Sequence, residues 1–309
     1  MVPGLLGLTF VVYAAARLTP GDALSLQGET LQTSAGANAS IEAYRHLLGL
    51  DEPILAGFGR WLSSVLHGDL GRSLHDGRSV AQKLGEALPV TVGLSGTALL
   101  LAGVLSTLLG LFGARRAGSR VERVVTTLLF LLHAMPVPWA AMMLVVAVGT
   151  RANLLPIHGL HSEGVRTVGD LLRHLVLPVL CLTYGTLAGL SGYVRSAVLE
   201  QLAQDHARTA RAKGMTEWAV VTRHGLRSAL GGLAAIAGLM LPSLVGGSVL
   251  VERLFGLPGL GQLAFEAVLG KDLPVLMADT LVTGAVTMAG LLVSDLLGAA
   301  FDPRLRSRS

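Results

Sequence analysis

Gln204-Asp205-His206-Ala207-Arg208-Thr209-Ala210-Arg211-Ala212-Lys213-Gly214-Met215 opens a polar island that runs to Leu230 between apolar blocks. It reads as two short helices with a break between them. Asp205 can cap the first helix, whose Ala207, Ala210, Arg211 and Gly214 fall at i, i+3, i+4 and i+7 and share one face of mostly small residues. Gly214 ends that helix, because glycine takes a left-handed C′ position without a side-chain clash. Thr216 can cap the second helix, which carries Trp218, Val221, Arg223, His224 and Arg227. A smooth Ala/Gly face beside basic residues, displayed between two membrane spans, is expected to be gripped by another protein. The alternative is an ordinary basic loop held on the cytoplasmic side by its charge.

The flanking blocks are long and apolar. With 309 residues, 14% of them charged, and a mean hydropathy of +0.61, the chain is too apolar for a soluble domain of its size and belongs to the membrane class. Its 39 glycines suit closely packed helices, since small residues let backbones approach where lipid supplies no hydrophobic drive. No basic stripe with interleaved aromatics points to nucleic acid. The single cysteine, Cys181, lies in an apolar block and excludes an internal disulfide and Cys-based metal sites.

Taken in order, residues 1–19 read as a retained first span that looks short at its start, so the native start is expected upstream. Residues 20–88 form the longest polar segment, with five Arg/Lys against eight Asp/Glu, an acidic lean that suits the outer side. Within it, 27–40 reads as a loose loop, and Ile41–Leu50 and Pro53–Leu66 have helical spacing. Pro89–Gly113 is a second span with its proline at the start, where a missing amide is harmless. Val124–Val148 is a third, kinked at Met135-Pro136-Val137-Pro138. The following segment carries His158, His161 and His174, read as surface residues because no cysteine or carboxylate cluster stands near them in sequence.

Arg173–Val194 is a fourth span, with Pro178 and a Gly185/Gly189 spacing for close contact; Gly232–Val251 is a fifth, with Pro242; Met277–Ala300 is a sixth. Asp279 and Asp295 lie near the ends of the last span and are expected to reach the interface. The stretches that become inner loops and tail if both termini are cytoplasmic hold thirteen of the 24 Lys and Arg residues. The expected fold is therefore an all-α integral membrane protein with six transmembrane helices. A large extracytoplasmic loop follows the first span and a cytoplasmic loop, 195–231, joins the fourth and fifth; residues 89–309 form a five-helix core.

Thr209-Ala-Arg-Ala-Lys-Gly214, followed by His224, resembles the cytoplasmic "EAA" loop of importer-type ABC permeases in the dipeptide, oligopeptide and nickel branch. The pattern departs at His206, usually aromatic, at Ser228, usually Asn, and at Gly231-Gly232, where a proline is common. Two further regions resemble the same branch. One comprises Leu48-Gly-Leu-Asp-Glu-Pro53, Trp61-Leu62 and Gly68-Asp69-Leu70-Gly71-Arg72-Ser-Leu74. The other comprises Phe255-Gly256-Leu-Pro258-Gly259-Leu-Gly261 with Asp272-Leu-Pro274, leading into a re-entrant outer segment.

The resemblance implies a type I importer-like permease subunit of a bacterial inner membrane. Such a subunit couples to two ATP-binding-cassette ATPase subunits through Asp205, Ala207–Met215 and His224. It pairs with a second homologous permease and meets an extracytoplasmic substrate-binding protein at the outer loops. It further implies that ATP and magnesium sit on partner subunits, with no cofactor or metal on this chain. Short peptides are the expected substrate, with nickel or a nickel chelate as the alternative. A stand-alone carrier or channel is the alternative of another class, but neither an internal repeat with matched broken helices nor ionisable residues at mid-depth are evident. None of the three lysines, Lys83, Lys213 and Lys271, sits in a Gly-x-x-x-x-Gly-Lys-Ser/Thr phosphate loop, so energy must arrive by contact.

Overall fold

The structure is a computed structural model that describes residues 2–18, 53–226, 232, 233, 236, 238, 240 and 248–301, with the side chains of 2, 224 and 297–301 outside that description. Among the described residues the regular structure is helical, apart from an isolated antiparallel bridge between Arg72 and Ser79. The expected helix 41–50, the stretch 48–52, Arg227, Ser228, Pro242 and the tail lie outside the described residues.

In order, α1 is Val2–Leu18, α2 Ile54–Leu66, α3 Val80–Arg115, α4 Arg120–Ala134 and α5 Val137–Leu144, which continues as a π-helical turn Val145–Arg151. Then come α6 Val168–Leu202, α7 Asp205–Ala212 and α8 Glu217–Val220, again continued by a π-helical turn, Val221–Gly225. Residues 248–255 are helical, and α9, Leu260–Leu269, and α10, Leu273–Phe301, follow. Among the described residues three helices, α3, α6 and the Leu273–Leu296 part of α10, are long and apolar enough to cross a membrane, and α4 with α5 makes a fourth if the bent pair counts as one span.

The chain divides into two compact units. The first comprises Met1–Val90 and Pro258–Val286. Its cores join segments far apart in sequence. Phe58 packs edge-to-face against Phe10 and at a tilt against Tyr13 and Trp61, with ring centroids 5.2, 5.8 and 5.7 Å away, in one cluster with Met277. Val80, Leu84 and Ala87 pack against Leu260, Ala267, Val275 and Ala278. Asp279, expected to reach the interface, is instead 5% exposed.

The second unit comprises Thr91–Leu257 and Thr287–Ser309. Here α3 and α6 approach until glycine is the only residue that fits. A Cβ on Gly110 would lie 2.6 Å from Val194 Cβ and 2.9 Å from the Ser191 carbonyl oxygen. Ala102, Leu111 and Ala114 on α3 and Leu190, Val194 and Val198 on α6 fill the seam, and Val221 closes it. A Cβ on Gly185 would lie 3.6 Å from Val137 and one on Gly189 3.7 Å from Met240, ordinary contact distances, so the close approach expected from their spacing does not need glycine at either position.

Three span readings need correction. Pro89 lies inside α3, because the helix starts upstream at Val80. The expected kink of the third span is a 100° bend between α4 and α5. Pro136 removes an amide and forces Met135 into an extended conformation (φ −77°, ψ 129°), which breaks the helix outright. Protein groups take up the polar atoms at that corner: the Tyr184 hydroxyl donates to the Met135 carbonyl at 3.1 Å, and the His133 ring nitrogen lies 3.0 Å from the Gly185 carbonyl. Finally, α6 runs on to Leu202, so the loop expected from 195 begins only at Ala203.

His174, grouped with surface histidines, is 3% exposed inside α6, its ring 3.6 Å from Asp170, while His158 and His161 are exposed. Asp170 stands four residues before His174, so the two share one face of α6. It also accepts from the Ser162 amide and hydroxyl at 2.8 and 2.9 Å.

Gly110→Val should destabilise the chain by about 1–3 kcal/mol through overpacking against a backbone carbonyl. Gly103→Ala, with nothing within 4 Å of the added methyl, should be neutral or better. Thermal unfolding of the purified chain in detergent compares the two.

Candidate functional site

The stretch after α6 folds into a knuckle. Ala203 and Gln204 turn the chain, α7 follows, and Gly214 (φ +80°) reverses it with its amide 2.9 Å from the Arg211 carbonyl and that of Met215 3.2 Å from the Ala210 carbonyl. Nothing stands within 4 Å of a Cβ at Gly214, so the glycine is required by backbone conformation rather than by space. Thr216 then caps α8, accepting from the Ala219 amide at 3.4 Å. Asp205 is the first helical residue rather than the cap; Gln204 holds the cap position without a side-chain bond. The Asp205 carboxylate instead lies 3.4 Å from Arg208, and its carbonyl accepts from the Thr209 hydroxyl at 3.0 Å.

The small face points inward. Ala207 and Ala210 are 0% and 5% exposed and pack against Val220, Leu202 and Met215, so the surface expected to meet a partner is spent on joining α7 to α8. Asp205, His206, Arg208, Thr209, Arg211, Ala212, Lys213, Gly214 and Trp218 form the exposed side. Arg115 lies over the Trp218 ring, 5.7 Å from its centroid. The backbone of His224 belongs to the π-helical turn.

Arg211 organises the knuckle, a role its sequence position does not announce. Its guanidinium binds both Glu217 oxygens at 3.0 and 2.7 Å, and a third N–H donates to the Leu202 carbonyl at 3.2 Å, satisfying one of the free acceptors at the end of α6. Hydrogen bonding to Arg211 holds the Glu217 carboxyl below its usual range.

In the first unit, Gly68 and Gly71 (φ +83° and +82°) bracket a turn in which Asp69 accepts from the Gly71 amide at 2.8 Å. Asp69, Leu70, Gly71 and Arg72, with Arg60 and Trp61, help line a cavity of about 180 Å³. The turn is tied to the distant Asp272-Leu-Pro274 stretch. Buried Asp272 accepts from the Ser73 hydroxyl and, at 3.2 Å, from the Leu74 amide, and also from the Val275 amide in the first turn of α10. Two motifs read separately along the chain thus form one joint. In the same unit Gly259 caps α9, after Pro258, and Gly261 is buried.

In the second unit Phe255 is 1% exposed, and its carbonyl accepts from the Gly159 amide at 2.8 Å. Gly256 (φ +59°) admits the His158 ring, whose Nε2 would lie 2.6 Å from a Cβ there. Fully buried Glu252 accepts from the Thr91 hydroxyl at 2.7 Å; neither residue stands out in the sequence as a partner of the other.

Lys83 lies 2.9 Å from Asp76 and hydrogen-bonds to it, lowering that carboxyl from 3.8 to about 2, with burial opposing and the Arg78 amide assisting. The folded value is depressed, so this stabilisation is full above pH 3.8 and is lost as pH falls toward about 2. Amide protection of 72–80, read by hydrogen exchange corrected for intrinsic rate, should fall across that window. Lys83→Met should lower protection at neutral pH and flatten the acid step.

Residues 106–307 match the family described as "Binding-protein-dependent transport system inner membrane component". The chain is 35% identical over 306 residues to the oligopeptide transport system permease protein AppB of Bacillus subtilis, covering 98% of this chain and 96% of that protein. It is 37% identical over 280 residues to the oligopeptide transport system permease protein OppB of Mycobacterium bovis, covering 87% and 85%. Its fold is similar to a chain of the inward-facing MetNI methionine ABC transporter, with a TM-score of 0.58 at 20% identity over 72% of this chain and 97% of that one. A bacterial alginate ABC transporter crystallised with its alginate-bound periplasmic protein gives a TM-score of 0.51 at 17% identity, covering 68% and 76%. Matched across nearly its whole length by such relatives, the chain belongs to the binding-protein-dependent transport system inner membrane components, a family of multi-pass membrane permease subunits.

Proposed function

We propose that the chain is the permease subunit of an ATP-driven importer of short peptides and forms half of the translocation pathway. The observation that carries this reading is the likeness to an oligopeptide permease over 98% of the chain, which takes in the outer turn around Gly68–Arg72 as well as the knuckle. In this reading the chain crosses the bacterial inner membrane six times with both termini in the cytoplasm, in keeping with the clustering of arginines. It pairs with a second homologous permease. Two ATPase subunits, which hold ATP and magnesium, grip the exposed side of α7 and α8, and an extracytoplasmic binding protein delivers peptide to the outer turn around Gly68–Arg72; Phe255, Gly259 and Gly261, also expected to meet it, are buried within the chain.

The knuckle is suited to transmit a push. Its halves are locked by the Ala207/Ala210 face and by the Arg211–Glu217 pair, and Arg211 also fastens it to the end of α6. A partner that closes on ATP therefore moves a rigid body, and alternating access follows if the closed ATPase pair fits only the outward-facing arrangement.

Ala210→Trp should abolish ATP-coupled peptide uptake by forcing α7 off α8, while the chain still inserts in the membrane. Gly214→Asp should act alike, because a side chain at φ +80° costs about 1–2 kcal/mol and reshapes the turn. Uptake into proteoliposomes, together with co-purification of ATPase subunits, measures both; normal transport by either variant counts against the lever.

A further inference from the structure

We propose that Glu122 is a positioning residue for energy coupling, acting through Arg195. Their ion pair clamps the stretch of α6 that leads into the knuckle to the starts of α4 and the end of α3. The inference rests on the reading that ATPase subunits push on α7 and α8.

Four arginines, Arg115, Arg116, Arg120 and Arg123, surround Glu122 in sequence, and all four are exposed. A carboxylate in that company would ordinarily pair at the surface. Glu122 is instead 6% exposed, directed inward from the first turn of α4, where Ser119 caps the helix by accepting the Glu122 amide at 3.1 Å. Its Oε1 lies 2.9 Å from Arg195 Nε on α6. The approach is off the Nε–H axis, so the contact is an ion pair rather than a directed hydrogen bond. The Thr126 hydroxyl approaches the same Oε1 at 3.5 Å.

The third helix enters through a missing side chain. A Cβ on Gly113 would lie 3.3 Å from Arg195 Cδ, so the arginine stem runs in the space that glycine leaves on α3. One side chain therefore touches α3, α4 and its own helix at one level. One position before it, Val194 meets Gly110; farther along α6, Val198 would lie 2.8 Å from a Cβ at Gly225 in the turn that continues α8.

Apolar seams of this kind can slide by fractions of a turn, whereas separating Arg195 from Glu122 would leave a carboxylate whose side chain is 8% exposed without its counter-charge. The clamp makes displacement of the knuckle a displacement of all three helix ends. Without it, α6 could yield locally and the push would dissipate.

The test uses the complete complex, with both permeases, the ATPase subunits and the binding protein, in proteoliposomes with a labelled tetrapeptide. The readout is ATP hydrolysed per peptide taken up. Glu122→Gln and Arg195→Gln should each raise this ratio roughly tenfold, with uptake falling and hydrolysis largely kept. The charge swap, Glu122→Arg with Arg195→Glu, should recover most of the loss. An unchanged ratio in an assembled Glu122→Gln complex overturns the clamp. So does a parallel fall of uptake and hydrolysis, which is the mark of mere fold support, or a swap that assembles and recovers nothing. If ATPase subunits fail to bind the unaltered chain, the coupling reading fails and the clamp with it. If Ala210→Trp uncouples and Glu122→Gln does not, only the clamp falls.

Discussion

The second unit depends on how closely α3 and α6 can approach. Lipid gives apolar side chains no reason to prefer one another, so helices must gain from contact distance itself, and contact distance is set by the smallest residue at the seam. Gly110 brings α3 against the Val194 side chain and the Ser191 carbonyl, and Gly113 leaves room for the Arg195 stem. The depth of that seam places the end of α6, and the end of α6 places the knuckle, because only Ala203 and Gln204 intervene before α7.

The knuckle applies the same rule on a smaller scale. Two alanines let a helix of eight residues lie flat on the turn that follows it, and a short helix of this kind would not persist in water alone. Arg211 supplies the polar half of the joint by binding Glu217 and the last free carbonyl region of α6. What remains exposed is mostly charged or polar, with Trp218 beside Arg115, a composition that favours water over lipid.

The first unit is held by a different device. Asp272 caps the start of α10 and at the same time receives the Ser73 hydroxyl and the Leu74 amide, so a turn early in the chain is fixed to a helix start 199 residues later. Asp76 and Lys83 brace the same turn, Lys83 also reaching the Ser73 hydroxyl at 3.2 Å. A buried carboxylate with several donors has few other places to sit, so this joint fixes register as well as contact.

Local signals written into the sequence determined the membrane class, most of the helices among the described residues, the Gly214 break and the Thr216 cap, because hydropathy, glycine conformation and capping act over a few residues. Length signals were less reliable: α3 and α6 extend past the apolar blocks that reveal them, since a helix need not end where lipid does. Only the tertiary structure decided that the Ala207/Ala210 face turns inward, that His174 and Asp279 are buried, that Pro136 bends the chain through 100°, and that Glu122 seeks Arg195 rather than a neighbouring arginine. Each depends on which distant segment lies opposite, and residue type and spacing along one helix do not specify the surface it will meet.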